Sequence, residues 1–176
     1  MRFSDAPLAG AIVIEPERDE DERGWFARTF DRMAFEGRGL AADVLQQSAS
    51  FNARCGTLRG MHYQAQPHGE TKLVRCTRGA LYDVIVDLRP SSETYCAWFA
   101  VELTAENGRM LYIPSEMAHG FMTLADATEV AYQMTDPYVA SHARGVRYDD
   151  PAFAIEWPMA PTAIAERDRG YPDFAR

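Results

Sequence analysis

Short runs of β-branched and aromatic residues recur along this chain, each closed off after a few positions by turn-forming residues. Ala11 to Ile14, Lys72 to Arg75, Leu81 to Leu88, Trp98 to Leu103, Met110 to Ile113 and Glu129 to Met134 each have the length and composition of a strand. Between such runs stand Thr77-Arg-Gly, Arg89-Pro-Ser-Ser and Glu106-Asn-Gly, where glycine, proline and asparagine supply backbone angles that a strand does not use. Strands this short and this numerous bury their apolar faces by stacking or closing, so the pattern predicts a sandwich, barrel or jelly roll. Helix is scarce. Asp31 is placed to cap a turn over Arg32 to Glu36, and a second turn is expected over Ala163 to Arg167, before Gly170.

With 176 residues, 47% hydrophobic and 25% charged, the chain is large enough for one core without disulfides, and residues 1–176 are read as one domain. Twenty-six acidic residues against eighteen basic ones give a net charge of -8, a field that repels nucleic acid and anionic membranes. A local cluster of Arg and Lys still suits a nucleotide-sized anion. Cys55, Cys76 and Cys96 show neither a zinc spacing nor an even count, which points to structural thiols in a reducing compartment. The N-terminal Met1-Arg-Phe-Ser-Asp is not apolar, and no run approaches the roughly 18 apolar residues of a membrane span. The expectation is a soluble, cytoplasmic protein.

Strand alternation then identifies polar groups on apolar faces. Val130, Tyr132 and Met134 share one face, so the Tyr132 phenol needs a partner or a ligand, since leaving it unpaired costs about 1–3 kcal/mol. Lys72 shares a parity with Val74 and Cys76, which puts an ammonium on an interior face where it needs an anion or a polar cavity. Among only four histidines, His62 and His119 fall within candidate strands. His68 and His142 are read as solvent-facing. Gln64 stands two residues after His62, with no glutamate at a ligand spacing, which argues against a metal-binding cupin site. An imidazole, a lysine, a phenol and arginines in one β-domain form a set suited to carbanion chemistry beside a carbonyl.

Seven ordered motifs make the chain resemble the dTDP-4-dehydrorhamnose 3,5-epimerase family over nearly its whole length. They are Asp21-Glu-Arg-Gly-Trp-Phe26, Thr57-Leu-Arg-Gly-Met-His-Tyr-Gln64, Lys72-Leu-Val-Arg75, Asp83-Val-Ile-Val-Asp-Leu-Arg89, Ile113-Pro through Ala118-His-Gly-Phe121, Tyr132-Gln and Ile155-Glu-Trp-Pro158. The resemblance implies an all-β, double-stranded β-helix fold (cupin, jelly roll) with a few short helices. It implies an isomerase that inverts C3 and C5 of a nucleotide-linked 4-keto-6-deoxyhexose without a cofactor, because the keto group already acidifies both protons.

Carried over by residue, the resemblance makes His62 the base, Asp168 the group that orients it, and Tyr132 the acid on the opposite face. Lys72 would stabilise the enolate oxygen. Arg23, Arg59 and His119 would hold the diphosphate and sugar, with Gln46, Ser48, Tyr138, Arg167 and Arg28 as further substrate-binding positions. The family also implies a homodimer with an exchanged N-terminal strand that completes the partner's site. Two departures bear on substrate: Arg28 stands where many relatives have Glu, and Ser48 where they have Asn. They keep open a single-centre epimerase or ketone isomerase acting on another nucleotide sugar. A non-catalytic sugar-nucleotide-binding cupin is the alternative outside the enzymes. Strict alternation places Arg59 and His62 on opposite faces of their strand, so Gly60 is expected to host a bulge or twist if both serve one site.

Overall fold

Apolar alternation along the strands is satisfied by two sheets packed face to face. The computed structural model describes residues 1–175. In chain order its strands are β1 (Arg2–Asp5), β2 (Ile12–Glu15), β3 (Arg18–Asp21), β4 (Gly24–Ala27), β5 (Gln46–Asn52), β6 (Thr57–Gln64) and β7 (Lys72–Arg78). There follow β8 (Ala80–Asp87), β9 (Trp98–Thr104), β10 (Met110–Ile113), β11 (Met117–Thr123), β12 (Thr128–Met134), β13 (Ala143–Gly145) and β14 (Ala163–Ile164). Two helices, α1 (Arg32–Glu36) and α2 (Glu166–Arg169), complete the regular structure with one turn of 3-10 helix at Ala140–His142.

One sheet runs β1-β2-β10-β7-β12-β5 and the other β13-β6-β11-β8-β9, while β3 and β4 pair only with each other. This double sheet of crossing antiparallel strands is a jelly roll. Val74, Cys76 and Val130 of the first sheet meet Leu81, Ile85, Leu103 and Phe121 of the second in a shared core. Burying each of the larger apolar side chains contributes about 1.5–3 kcal/mol. The outer faces are also covered. Phe35 of α1 seats on Ile12, Leu73, Met110 and Tyr112 of the first sheet. Phe153, Trp157 and Phe174, from the segment after β13, cover Met61, Val84 and Val86 of the second.

The turn at α1 forms as its sequence predicts. Asp31 has extended φ and ψ and accepts a hydrogen bond from the Ala34 amide at 3.2 Å, a cap worth about 1 kcal/mol. The expected turn over Ala163 to Arg167 is corrected: Ala163 and Ile164 instead pair in parallel with Thr57 and Leu58 of β6, and the helix starts at Glu166. Backbone bonding to an open strand edge outcompetes a helix too short to stabilise itself.

The expected irregularity at Gly60 is present. On β11, His119 pairs with His62 and Phe121 with Arg59, so three residue steps on β6 oppose two on β11. That extra residue is a β-bulge, and it brings Arg59 and His62 to the same side of the sheet. Gly60 has φ +138°, and its peptide with Met61 is cis. A Cβ on Gly60 would sit 2.4 Å from the Gly120 Cα, so both strands require glycine where they approach. Gly60→Ala should therefore lose about 3 kcal/mol of stability, seen as a fall in Tm of roughly 6–12 °C by circular dichroism. A wild-type melting curve would mean that the strands have room to separate.

Candidate active site

Between the two sheets lies a cavity of about 570 Å³, lined from one wall by Arg59, His62 and His119 and from the other by Ser50, Lys72 and Tyr132. The segment from Ala163 through β14 to Asp168 closes a further side. β6 supplies the imidazole of His62 and β12 the phenol of Tyr132, so these two groups come from opposing sheets.

His62 Nε2 lies 2.7 Å from Asp168 Oδ1, and the other carboxylate oxygen accepts the Gly60 amide at 3.3 Å. Asp168 is buried, while the His62 side chain is one-third exposed to the cavity. Burial pushes the Asp168 carboxyl up, but the His62 hydrogen bond and charge, the Gly60 amide and the Arg167 guanidinium together hold it below its ordinary range. Arg167 Nη2 stands 3.2 Å from the same imidazole nitrogen.

Tyr132 is paired across the strands with Ser48, but its hydroxyl reaches diagonally to Ser50 Oγ at 3.1 Å. Burial pushes the phenol up to about 12, more than the Ser50 hydrogen bond and the Arg59 charge bring it down. It is therefore a protonated donor across the neutral range. Lys72 donates to the His62 carbonyl at 3.3 Å and pairs with Glu70 at 3.0 Å, which meets the need for an anion that its interior position creates. His119 Nε2 is 2.7 Å from Asp83 Oδ1, both buried, and its ring stands edge-on to Tyr132.

The cavity thus gathers His62, Tyr132, Lys72, Asp168, Arg59, His119 and Arg167. It does not gather the other five positions. Arg23 is exposed on the β3–β4 hairpin and pairs with Asp21. Arg28 pairs with Asp31 at 2.9 Å beside α1, so its charge is taken up by the helix cap. Gln46 accepts the Tyr138 amide at 3.0 Å, with the Tyr138 ring exposed. Ser48 lines a separate hollow of about 220 Å³ with Arg75 and Gln133. His68 and His142 are not solvent-facing: both are half-buried, with ring centroids 4.3 Å apart.

Ser50, Asn52, Glu70 and Asp83 were not singled out by the sequence. Asp83 alone carried a signal, as a carboxylate inside the apolar run of β8, where burial demands a partner. Among the described residues no group of three or more His, Cys, Asp or Glu side chains is arranged to hold a metal ion.

Residues 5–176 match the family model described as dTDP-4-dehydrorhamnose 3,5-epimerase. The chain is 43% identical over 175 residues to the enzyme of that name from Sinorhizobium fredii, covering 99% of this chain and 90% of the relative. A Bacillus anthracis dTDP-4-dehydrorhamnose 3,5-epimerase, solved with TDP and PPi bound, superposes with a TM-score of 0.95 at 36% identity, covering 98% of this chain and 99% of the other. A dTDP-6-deoxy-D-glucose-3,5-epimerase from Legionella pneumophila, in complex with dTDP-4-keto-L-rhamnose, gives 0.91 at 34% identity, with 97% and 90% covered.

A carboxyl depressed in the folded state adds stability that is complete above its unfolded value, about 3.9, and is lost as pH falls through the folded value. The stability gap between wild type and Asp168→Asn should accordingly be open at about pH 7 and close as the pH drops below about 4, measured by urea unfolding across pH. A gap that stays constant down to about pH 2 would rule out the carboxylate charge as its source.

Proposed function

The chain belongs to the dTDP-4-dehydrorhamnose 3,5-epimerase family, and from that premise we propose how its cavity inverts C3 and C5 of dTDP-4-dehydro-6-deoxy-D-glucose to give dTDP-4-dehydro-L-rhamnose. The enzyme is an isomerase that binds nucleotide sugars. The observation that carries the mechanism is the placement of the His62–Asp168 pair and Tyr132 on opposing walls of one cavity.

Inversion requires a base on one side of a planar enolate and an acid on the other. The hydrogen bond to Asp168 assigns the imidazole proton to Nε2, which leaves the Nδ1 lone pair to take the proton beside the keto group. The electron pair of the broken C–H bond moves into the ring and onto the keto oxygen, where the Lys72 ammonium stabilises the growing charge. Tyr132 then returns a proton to the same carbon from the opposite face. His62 and the tyrosinate exchange protons with solvent, and the cycle repeats at the second carbon. His119, held by Asp83, stands beside Tyr132 to bind the sugar, while Arg59 and Arg167 take the diphosphate.

The remaining positions fit a homodimer. β1 is the outermost strand of its sheet, with β2 as its neighbour, and β5 ends the same sheet at the other side. The β3–β4 hairpin exposes Trp25 and Phe26 and contributes nothing to its own cavity. In this reading the N-terminal strands of one copy reach a second copy, bringing Arg23 and Arg28 to its nucleotide, with Gln46, Ser48 and Tyr138 around the rim. Residues 1–176 act as one catalytic domain in the cytoplasm, which the three free cysteines favour.

Proton NMR of dTDP-4-keto-6-deoxyglucose in deuterium oxide tests the mechanism directly. Wild-type protein should wash out the C3 and C5 signals, and exchange at one carbon alone would make it a single-centre epimerase. His62→Ala should slow both exchanges by about 10²–10⁴ while dTDP still binds. Tyr132→Phe should lower epimerisation by a similar factor and leave exchange at the first carbon measurable. Epimerisation by that variant at the wild-type rate would remove Tyr132 as the acid and turn attention to Tyr138.

A further inference from the structure

The cations around the cavity differ in what already holds their charge. Lys72 is paired with Glu70 at 3.0 Å. Arg167 lies 3.5 Å from Asp168 through its Nε. Arg59 alone, among the described residues of the cavity wall, has no carboxylate partner. Its Nε instead donates to the amide oxygen of Asn52 at 2.7 Å.

Asn52 is built for that task. It is buried, at 2% exposure, at the end of the edge strand β5. Its own amide nitrogen donates to the Thr128 carbonyl at 3.2 Å, which fixes the oxygen toward Arg59. An aspartate of the same shape would hold the guanidinium as well but would neutralise it.

We propose that Asn52 is the positioning residue for phosphate recognition: its neutral oxygen takes one guanidinium N–H and leaves the Arg59 charge and both terminal nitrogens to the diphosphate. The inference rests on the nucleotide-sugar reading above and adds the residue that tunes its anion affinity. A guanidinium fixed through Nε presents its two terminal nitrogens as a planar fork, the geometry that matches phosphate oxygens in pairs.

Charge, not shape, then decides the ranking of variants. Asn52→Asp, the closer mimic, should weaken dTDP binding by about tenfold and more than Asn52→Ala does, as read by calorimetry. Thymidine, which lacks phosphate, should bind both variants as it binds wild type. In the exchange assay KM should rise with the loss of dTDP affinity, with kcat moving by less than about threefold. A purely structural role predicts the opposite ranking, with the truncation worse than the isostere, and that ranking overturns the proposal. So does an equal loss of thymidine and dTDP affinity.

Should Asn52→Asp lose its cooperative melt, because its carboxylate faces the Thr128 carbonyl, Asn52→Ala decides alone. Weaker dTDP binding with thymidine unchanged supports the role, and wild-type dTDP binding overturns it. Wild-type protein that binds no dTDP overturns the function on which the inference rests. Wild-type binding with unaltered variants overturns the inference alone.

Discussion

One residue too many in β6 makes this molecule an enzyme scaffold rather than a plain sandwich. A regular strand would send Arg59 and His62 to opposite faces, one into the cavity and one into the packing behind it. The bulge opposite His119 and Phe121 reverses the alternation once, between the two side chains, and both enter the cavity. Such a reversal needs backbone against backbone, and the facing pair Gly60 and Gly120 provides it. Asp168 caps the same Gly60 amide while it holds His62, so the orienting carboxylate is anchored to the bulge itself.

Charge inside the cavity follows an equally simple rule. Lys72 and Glu70, His62 and Asp168, and His119 and Asp83 each stand in contact, so ionisable groups kept from water have partners. Pairing of this kind gives each group a fixed direction, which a proton-transfer site needs more than it needs raw charge. Tyr132 differs: burial raises its phenol far above neutrality, with the neutral Ser50 hydroxyl as its hydrogen-bond partner, so it stays protonated, as the acid role proposed for it requires.

Much of this was legible in the amino-acid sequence, for reasons that can be named. The strands β7, β8, β9, β10 and β12 follow from short runs rich in β-branched and aromatic residues and bounded by turn residues, a signal each run carries in its own composition. Asp31 announced α1 because capping is a local interaction. The interior placement of Lys72 and Tyr132 followed from parity, which holds wherever a strand is regular. Ala163 and Ile164 were misassigned because the edge of β6 that captures them lies about a hundred residues away in the sequence, beyond local propensity. Asn52 and Glu70 stayed hidden for another reason: Arg59 and Lys72 are near them in the sequence, but packing of the strands, not local pattern, brings each pair into contact. His68 and His142 look like surface residues until the fold brings their loops together. Arg23 and Arg28 sit at recognisable motifs, yet their place in one chain is a hairpin and a helix cap, away from the cavity.

The pairing of His62 with Asp168 spans 106 positions of sequence and depends on β14 lying along β6. The pair is therefore complete only when the segment after β13 is docked along β6. The same segment carries Phe153, Trp157 and Phe174 onto the outer face of the second sheet, so the imidazole's partner and the cover of that sheet arrive together, and a chain clipped after β13 would forfeit both.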